Sequence, residues 1–96
     1  MNNFEIQRET DGKRGSFFIE EEAKRFAEMV YVMAGPKKMI IEHTAVDESM
    51  QGHGIGLKLL NELADYVRKE EIKVIPLCSF AKAMFEKKEE LRDLRN

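Results

Sequence analysis

The stretch Thr44–Val67, TAVDESMQGHGIGLKLLNELADYV, changes character half-way along. After Gly56 the apolar residues Leu59, Leu60, Leu63, Ala64 and Val67 recur at helical spacing, with Asn61, Glu62, Asp65, Arg68 and Lys69 between them. Before Gln51 the chain reads as a strand end. Between the two lies QGHGIG, three glycines in five residues from Gly52 to Gly56. Glycine loses more conformational entropy on folding than any other residue, so such a cluster needs a reason. One reason is chemical. A helix start leaves backbone N–H groups without partners at the positive end of the dipole, and such a terminus binds anions, above all phosphate. Gly52, Gly54 and Gly56 would clear the approach and permit positive φ. The competing reason is a turn that merely lets the helix pack closely on a sheet.

Working outward, Gly and Pro punctuate short elements. NFEIQRE, from Asn3 to Glu9, alternates Phe4 and Ile6 with polar residues and predicts a half-buried strand. TDGKRG supplies Asp-Gly turn chemistry, and SFFIE from Ser16 reads as the returning strand. AKRFAEMVYVMAG and MIIEHTAV give two more strands separated by the tight turn GPKK. IKVIPLC, reached through the helix, predicts a fifth strand parallel to MIIEHTAV in a right-handed βαβ unit. Ser79 is a plausible N-cap for a last helix that buries Phe80, Ala81, Met84 and Phe85, and EKKEELRDLRN reads as a solvated helical tail. The order is ββββαβα: a mixed α/β (α+β) sheet, four antiparallel strands followed by a parallel unit.

Ninety-six residues, 43% apolar and 35% charged, describe one folded domain spanning 1–96 rather than a disordered chain. A formal charge of −2 carries no basic footprint for nucleic acid. The apolar run Met29–Gly35 is far too short to span a bilayer, and MNNFEIQRETDGKRG lacks the apolar core of an export signal. A lone cysteine, Cys78, rules out an internal disulfide and suits a reducing cytoplasm, so a cytoplasmic location is expected. No metal-ligand spacing is present. The phosphate loops with stricter spacing are excluded. Leu57 stands where a dinucleotide fingerprint needs its third glycine, and no Gly-Lys-Ser/Thr exists.

What remains, Gln51-x-x-Gly54-x-Gly56, resembles the Q/R-x-x-G-x-G/A acetyl-CoA motif of the GNAT N-acetyltransferase superfamily. EHTAVDESMQGHGIGLKLL together with KVIPLCSFAKAMFEK is similar to the small, stand-alone YjdJ-type branch of those enzymes, and the resemblance covers essentially the whole chain. It implies that backbone amides at Gln51, Gly52, Gly54, Ile55, Gly56 and Leu57 hold the CoA pyrophosphate. His53 would point outward near the phosphates or have no role. The pantetheine arm would pair like an added strand with the backbone of Ala45 and Val46, in a splay between the fourth and fifth strands. Pro76 fits that splay, because proline has no ladder donor to lose there; it equally fits an early end to the strand.

Three residues are catalytic candidates. Cys78 stands at the C-terminal end of the fifth strand, where α/β sheets place ligands, and beside a helix start that favours thiolate. The resemblance brings it close to the acetyl thioester, as acetyl acceptor or pocket lining; a small buried hydrophobe is the plain alternative. His43, expected on one strand face with Ile41 and Ala45, could act as base or fix the strand end. Glu42, expected beside Ile40 and Thr44, could act through a water. Two departures from the pattern stand out: no tyrosine in SFAKAMFEKK, where many members carry a general acid, and Ala45 and Ser79 where glutamate and proline are common. The implied activity is acetyl transfer from acetyl-CoA to a primary amine. A CoA-binding module without catalysis is the alternative, and a protein-interaction domain using exposed Met and Phe residues a third.

Overall fold

The computed structural model describes residues 4–96. Its elements run β1 (Gln7–Thr10), β2 (Arg14–Glu21), β3 (Lys24–Met33), β4 (Lys38–Val46), α1 (Ile55–Glu70), β5 (Lys73–Pro76) and α2 (Ser79–Lys87). The strands form one sheet in the order β1-β2-β3-β4-β5, antiparallel from β1 to β4 and parallel between β4 and β5. This is the ββββαβα arrangement that the spacing predicts.

Local chemistry makes the first turn. Asp11 Oδ1 accepts from the N–H groups of Lys13 and Arg14 at 2.9 and 2.8 Å, and Gly12 takes a φ of 104°. β1 begins at Gln7, later than the alternation predicts, and Asn3 lies outside the described residues. Phe4 and Ile6 still pack against the core, from backbone outside the ladder. Beyond the end of that pairing the β2–β3 register shifts between Ile19 and Glu20, leaving Phe26 of β3 extra.

One side of the sheet carries the core. Phe17 and Ile19 of β2, Ala27, Met29 and Tyr31 of β3, and Met39 and Ile41 of β4 meet Leu59, Leu60, Leu63 and Val67 of α1. Gly15 lets Tyr31 in, since a Cβ there would stand 2.5 Å from the Tyr31 hydroxyl oxygen. Asp65 and Lys69 form no ion pair; Arg68 instead reaches the Glu90 carbonyl and Asp93 at 2.9 and 3.2 Å.

Those contacts reveal the largest difference from the sequence reading. The chain end is not a solvated helical tail. Glu89–Leu94 form a 3-10 helix that buries Leu91 and Leu94 in the core. Arg95 then bridges Val74 in parallel, and the Asn96 N–H donates to the Val74 carbonyl at 2.9 Å. The segment covers the outer edge of β5, which would otherwise present unpaired peptide groups. The cap of α2 differs as well. Cys78, not Ser79, is the N-cap, its Sγ accepting from the Ala81 N–H at 3.4 Å.

The tail yields a direct test. Leu91→Ala should cost about 2–5 kcal/mol in urea unfolding, as removal of a buried leucine does. A solvated tail would hold the change within about 0.5 kcal/mol.

Candidate functional site

The site begins where two parallel strands part. β4 and β5 pair through four rungs, Lys38 with Lys73 to Ile41 with Pro76. There the ladder stops. The next two N–H groups, of Leu77 and Cys78, both donate to the Ile41 carbonyl at 3.0 and 3.2 Å; the first is the regular ladder bond and the second turns back onto the same acceptor. β5 therefore turns away while β4 continues from Glu42 to Val46 with β3 alone as neighbour. This is the splay; Pro76 is the last residue of β5, and its nitrogen faces the outer edge, so the proline removes no donor from the β4–β5 ladder.

The Asp47 N–H donates to the Phe26 carbonyl at 2.7 Å. Antiparallel alternation then turns the peptide groups of Ala45 and His43 toward β3, and those of Thr44 and Val46 toward the gap. The Val46 carbonyl accepts from Gln51 Nε2 at 3.1 Å, as that orientation requires. Of the two strand residues expected to meet a ligand through their backbone, Val46 presents its groups to the gap and Ala45 does not.

A bulge redistributes the side chains. The β3–β4 register shifts between Val30 and Tyr31: Tyr31 opposes Ile41, but Val30 opposes His43, leaving Glu42 extra. Beyond it Thr44 and Val46 stand over Met29 and Ala27 on the core side. His43 and Ala45 fall on the opposite side from Ile41, which corrects the expected alternation. His43 is exposed, its Nε2 4.0 Å from Glu28 Oε2. Glu42 pairs with Arg14 on that same outer face and no longer shares a face with Thr44. Cys78 is half-buried on the inner side, its Sγ 3.3 Å from Thr44 Oγ1. The structure thus brings Cys78 to Thr44 and places Glu42 and His43 across the sheet from it.

At the other end of the gap, Asp47 caps a 3-10 turn, Glu48–Met50, by accepting from the Ser49 hydroxyl and N–H at 2.6 and 3.0 Å. Gly52 and Gly54 follow with φ of 85° and 69° and open space where a Cβ would stand. Gly54 is the N-cap of α1, and no side chain bonds the helix start. The N–H groups of Ile55, Gly56 and Leu57 consequently have no intrahelical partner. Gly56 acts differently: its φ is ordinary, and a Cβ would meet the Phe80 ring at 3.0 Å. His53 is exposed and outside the cleft lining.

These pieces enclose a cleft of about 450 Å³. β4 contributes Thr44 and Val46; the loop and helix start contribute Met50, Gln51, Gly52 and Gly54 to Leu57. The far wall is α2, with Phe80, Met84, Lys87 and Lys88. The sequence reading missed that wall. Phe80, Met84 and Lys87 recur at helical spacing, a signal masked by reading the end of the helix as solvated. Among the described residues no group of three His, Cys, Asp or Glu side chains could hold a metal ion, and no helix is long and apolar enough to cross a membrane.

A family profile for GCN5-related N-acetyl-transferases matches residues 16–94. The chain belongs to that family. It is 33% identical to a GCN5-like protein of Staphylococcus aureus, provisionally an N-acetyltransferase, over 100% of this chain and 91% of that one, at a TM-score of 0.78. The fold also matches a GNAT acetyltransferase of Elizabethkingia anophelis solved with acetyl-CoA bound, at 15% identity, a TM-score of 0.68, and 91% and 74% coverage. Tetrahymena GCN5 gives 23% identity and 0.65, over 80% of this chain and 51% of that one. No curated protein matches. The GNAT assignment accounts for the parted strands and the glycine loop together.

The loop carries a pH signature. Asp47 sits below the ordinary aspartate value, first because of the Ser49 hydroxyl and then because of the Ser49 N–H. A depressed carboxylate stabilises at pH above its unfolded value and stops doing so as pH falls through its folded one. The Ser49 amide resonance should therefore shift with a midpoint below the ordinary aspartate value. A midpoint at or above the ordinary value would mean that the cap is not formed.

Proposed function

We propose that residues 1–96 form one acetyl-CoA-binding domain that transfers acetyl to a primary amine. One observation carries this reading: an unpaired strand edge and an uncapped helix start open into the same cleft. The helix start suits a diphosphate, with amides at Gln51, Gly52, Gly54, Ile55, Gly56 and Leu57 around it and His53 at the rim. Lys87 and Lys88, on the opposite wall, add positive charge for the phosphates. The strand edge suits the amide-bearing pantetheine arm, which would bond the Thr44 and Val46 peptide groups as an added strand does. Ala45 then contributes spacing rather than bonds.

The acetyl group would lie at the closed end of the gap. A neutral amine attacks the thioester carbonyl, whose oxygen the Val46 N–H polarises; the C–S bond breaks and CoA leaves as thiolate. Glu42 and His43 flank the gap from the outer face and are the candidates to accept the ammonium proton. Cys78 is the candidate acceptor for a two-step route, in which the thiolate takes the acetyl group before the amine does. The single unpaired cysteine supports a cytoplasmic location. A second reading, a CoA-binding module without turnover, draws support from the absence of a tyrosine in SFAKAMFEKK, with Met84 or Phe85 in the place of the acid, and from the sheet lying between Cys78 and His43.

Mass measurement after incubation with acetyl-CoA, followed by a panel of amines with free CoA monitored, separates these readings. Transfer predicts CoA release with at least one amine, and Cys78→Ser abolishes it only on the two-step route. Binding without release from any amine supports the module. A CoA titration that leaves the amide resonances of residues 51–57 unmoved sinks both. Lys87→Ala with Lys88→Ala should weaken CoA binding by about tenfold in low salt and by less in high salt, as exposed charge contacts do.

A further inference from the structure

We propose that two copies of this chain meet through the outer face of the sheet, packed face to face about a two-fold axis that crosses the strands. The inference is independent of the acetyl-CoA reading. Among the described residues, each helix contributes to the core on the other face, with Met29, Met39 and Ile41. A sheet face turned to water ordinarily carries polar side chains. This one does not. Val32, Ile40 and Ile75 are direct cross-strand neighbours on β3, β4 and β5 and form one outward row, alternating with buried Tyr31, Met39, Ile41 and Val74. Val30 and Leu77 extend the row along β3 and β5. None of the five belongs to the core or to the half-buried side chains packed against it. Leu77 is 64% exposed, the one large apolar side chain so exposed among the described residues.

The borders of the row carry opposite charge. Lys38 precedes Ile40 on the same face and has no ion-pair partner among the described residues. Glu42 follows Ile40, with Arg14 beside it. A two-fold axis along the row sets Ile40 over its own copy and turns each Lys38 toward the partner's Glu42. The surface thereby complements itself, as an isologous contact requires. A purely cationic or purely anionic partner would satisfy one border and oppose the other. Facing sheets cross at about 30°, which moves apart the two Arg14 side chains at the β2 end of the row. Four strands about 5 Å apart and about 25 Å long give a footprint on the order of 500 Å² per copy. That is the size of a reversible contact rather than an obligate one.

Light scattering on the full, ligand-free chain should give a mass that rises from one copy toward two between micromolar and millimolar concentration. Ile40→Lys or Ile75→Lys should keep the chain monomeric where the wild type is paired, while its amide spectrum stays that of a folded protein. Exchanging the border charges reads the geometry itself. Lys38→Glu and Glu42→Lys should each weaken pairing about tenfold, because each sets like charges against one another. Mixing the two variants should restore it, since both contacts then join opposite charges. A mixture that pairs no better than either variant alone overturns the proposal. A chain that stays monomeric at millimolar concentration overturns it as well and leaves the face to a different partner. So does a dimer that neither isoleucine substitution weakens, which would place the contact elsewhere. Should a lysine variant unfold, the mixing experiment decides alone.

Discussion

The Ile41 carbonyl is the pivot of this molecule. Inside a sheet it would meet a single N–H from the next strand; here it receives two, the regular one from Leu77 and a second from Cys78. That shared acceptor ends the parallel ladder and sends β5 away from β4. Five residues of β4 are left with one neighbour in the middle of an otherwise continuous sheet. Unpaired peptide groups in such a place are costly unless something bonds them. The Gln51 side chain takes the Val46 carbonyl, and the remaining groups face a cleft open to a ligand. The opening is therefore not an absence of structure. It is enforced by two consecutive N–H groups that converge on one carbonyl.

The cleft needs its second wall held at a fixed distance, and the glycines divide that work. Gly52 and Gly54 curl the loop through backbone conformations that side chains rarely adopt, so the chain leaves β4 and enters α1 without a side-chain cap. Gly56, already helical, instead lets α1 and α2 approach until the Phe80 ring lies against the backbone. The same short motif sets the exposure of the helix-start amides and the closeness of the facing helix. Met50 and Ile55, both buried, tie the loop to the core on either side of the exposed glycines. The site can thus be rigid at its ends while its amides stay bare.

Element order was legible because the hydrophobic period changes cleanly at Gly56 and the turns carry Asp-Gly and Gly-Pro signals. The glycine loop was legible too, since it rests on residues with unusual backbone rules. Pro76 marked the end of the fifth strand, although the parting itself comes from the Leu77 and Cys78 N–H groups sharing one acceptor. Side-chain faces on β4 were not. A bulge adds one residue without any composition signal, and beyond it every side chain changes face. Ile41, His43 and Ala45 read as one face in IEHTAV; the structure puts Ile41 inside and the other two outside. The tail failed for another reason. Leu91 and Leu94 are two leucines among charges, too few to declare an apolar face, yet both are buried as part of the core.

The bulge also decides how the chemistry can be arranged. Without it, His43 would point inward with Ile41, toward the side where Cys78 sits, and an imidazole could take the thiol proton directly. With it, Thr44 occupies that position, and the imidazole stands across the sheet beside Glu28. The inner side of the gap thereby carries Thr44 against Cys78, and the outer side carries Glu42 and His43. One inserted residue places these groups on opposite faces of the same strand.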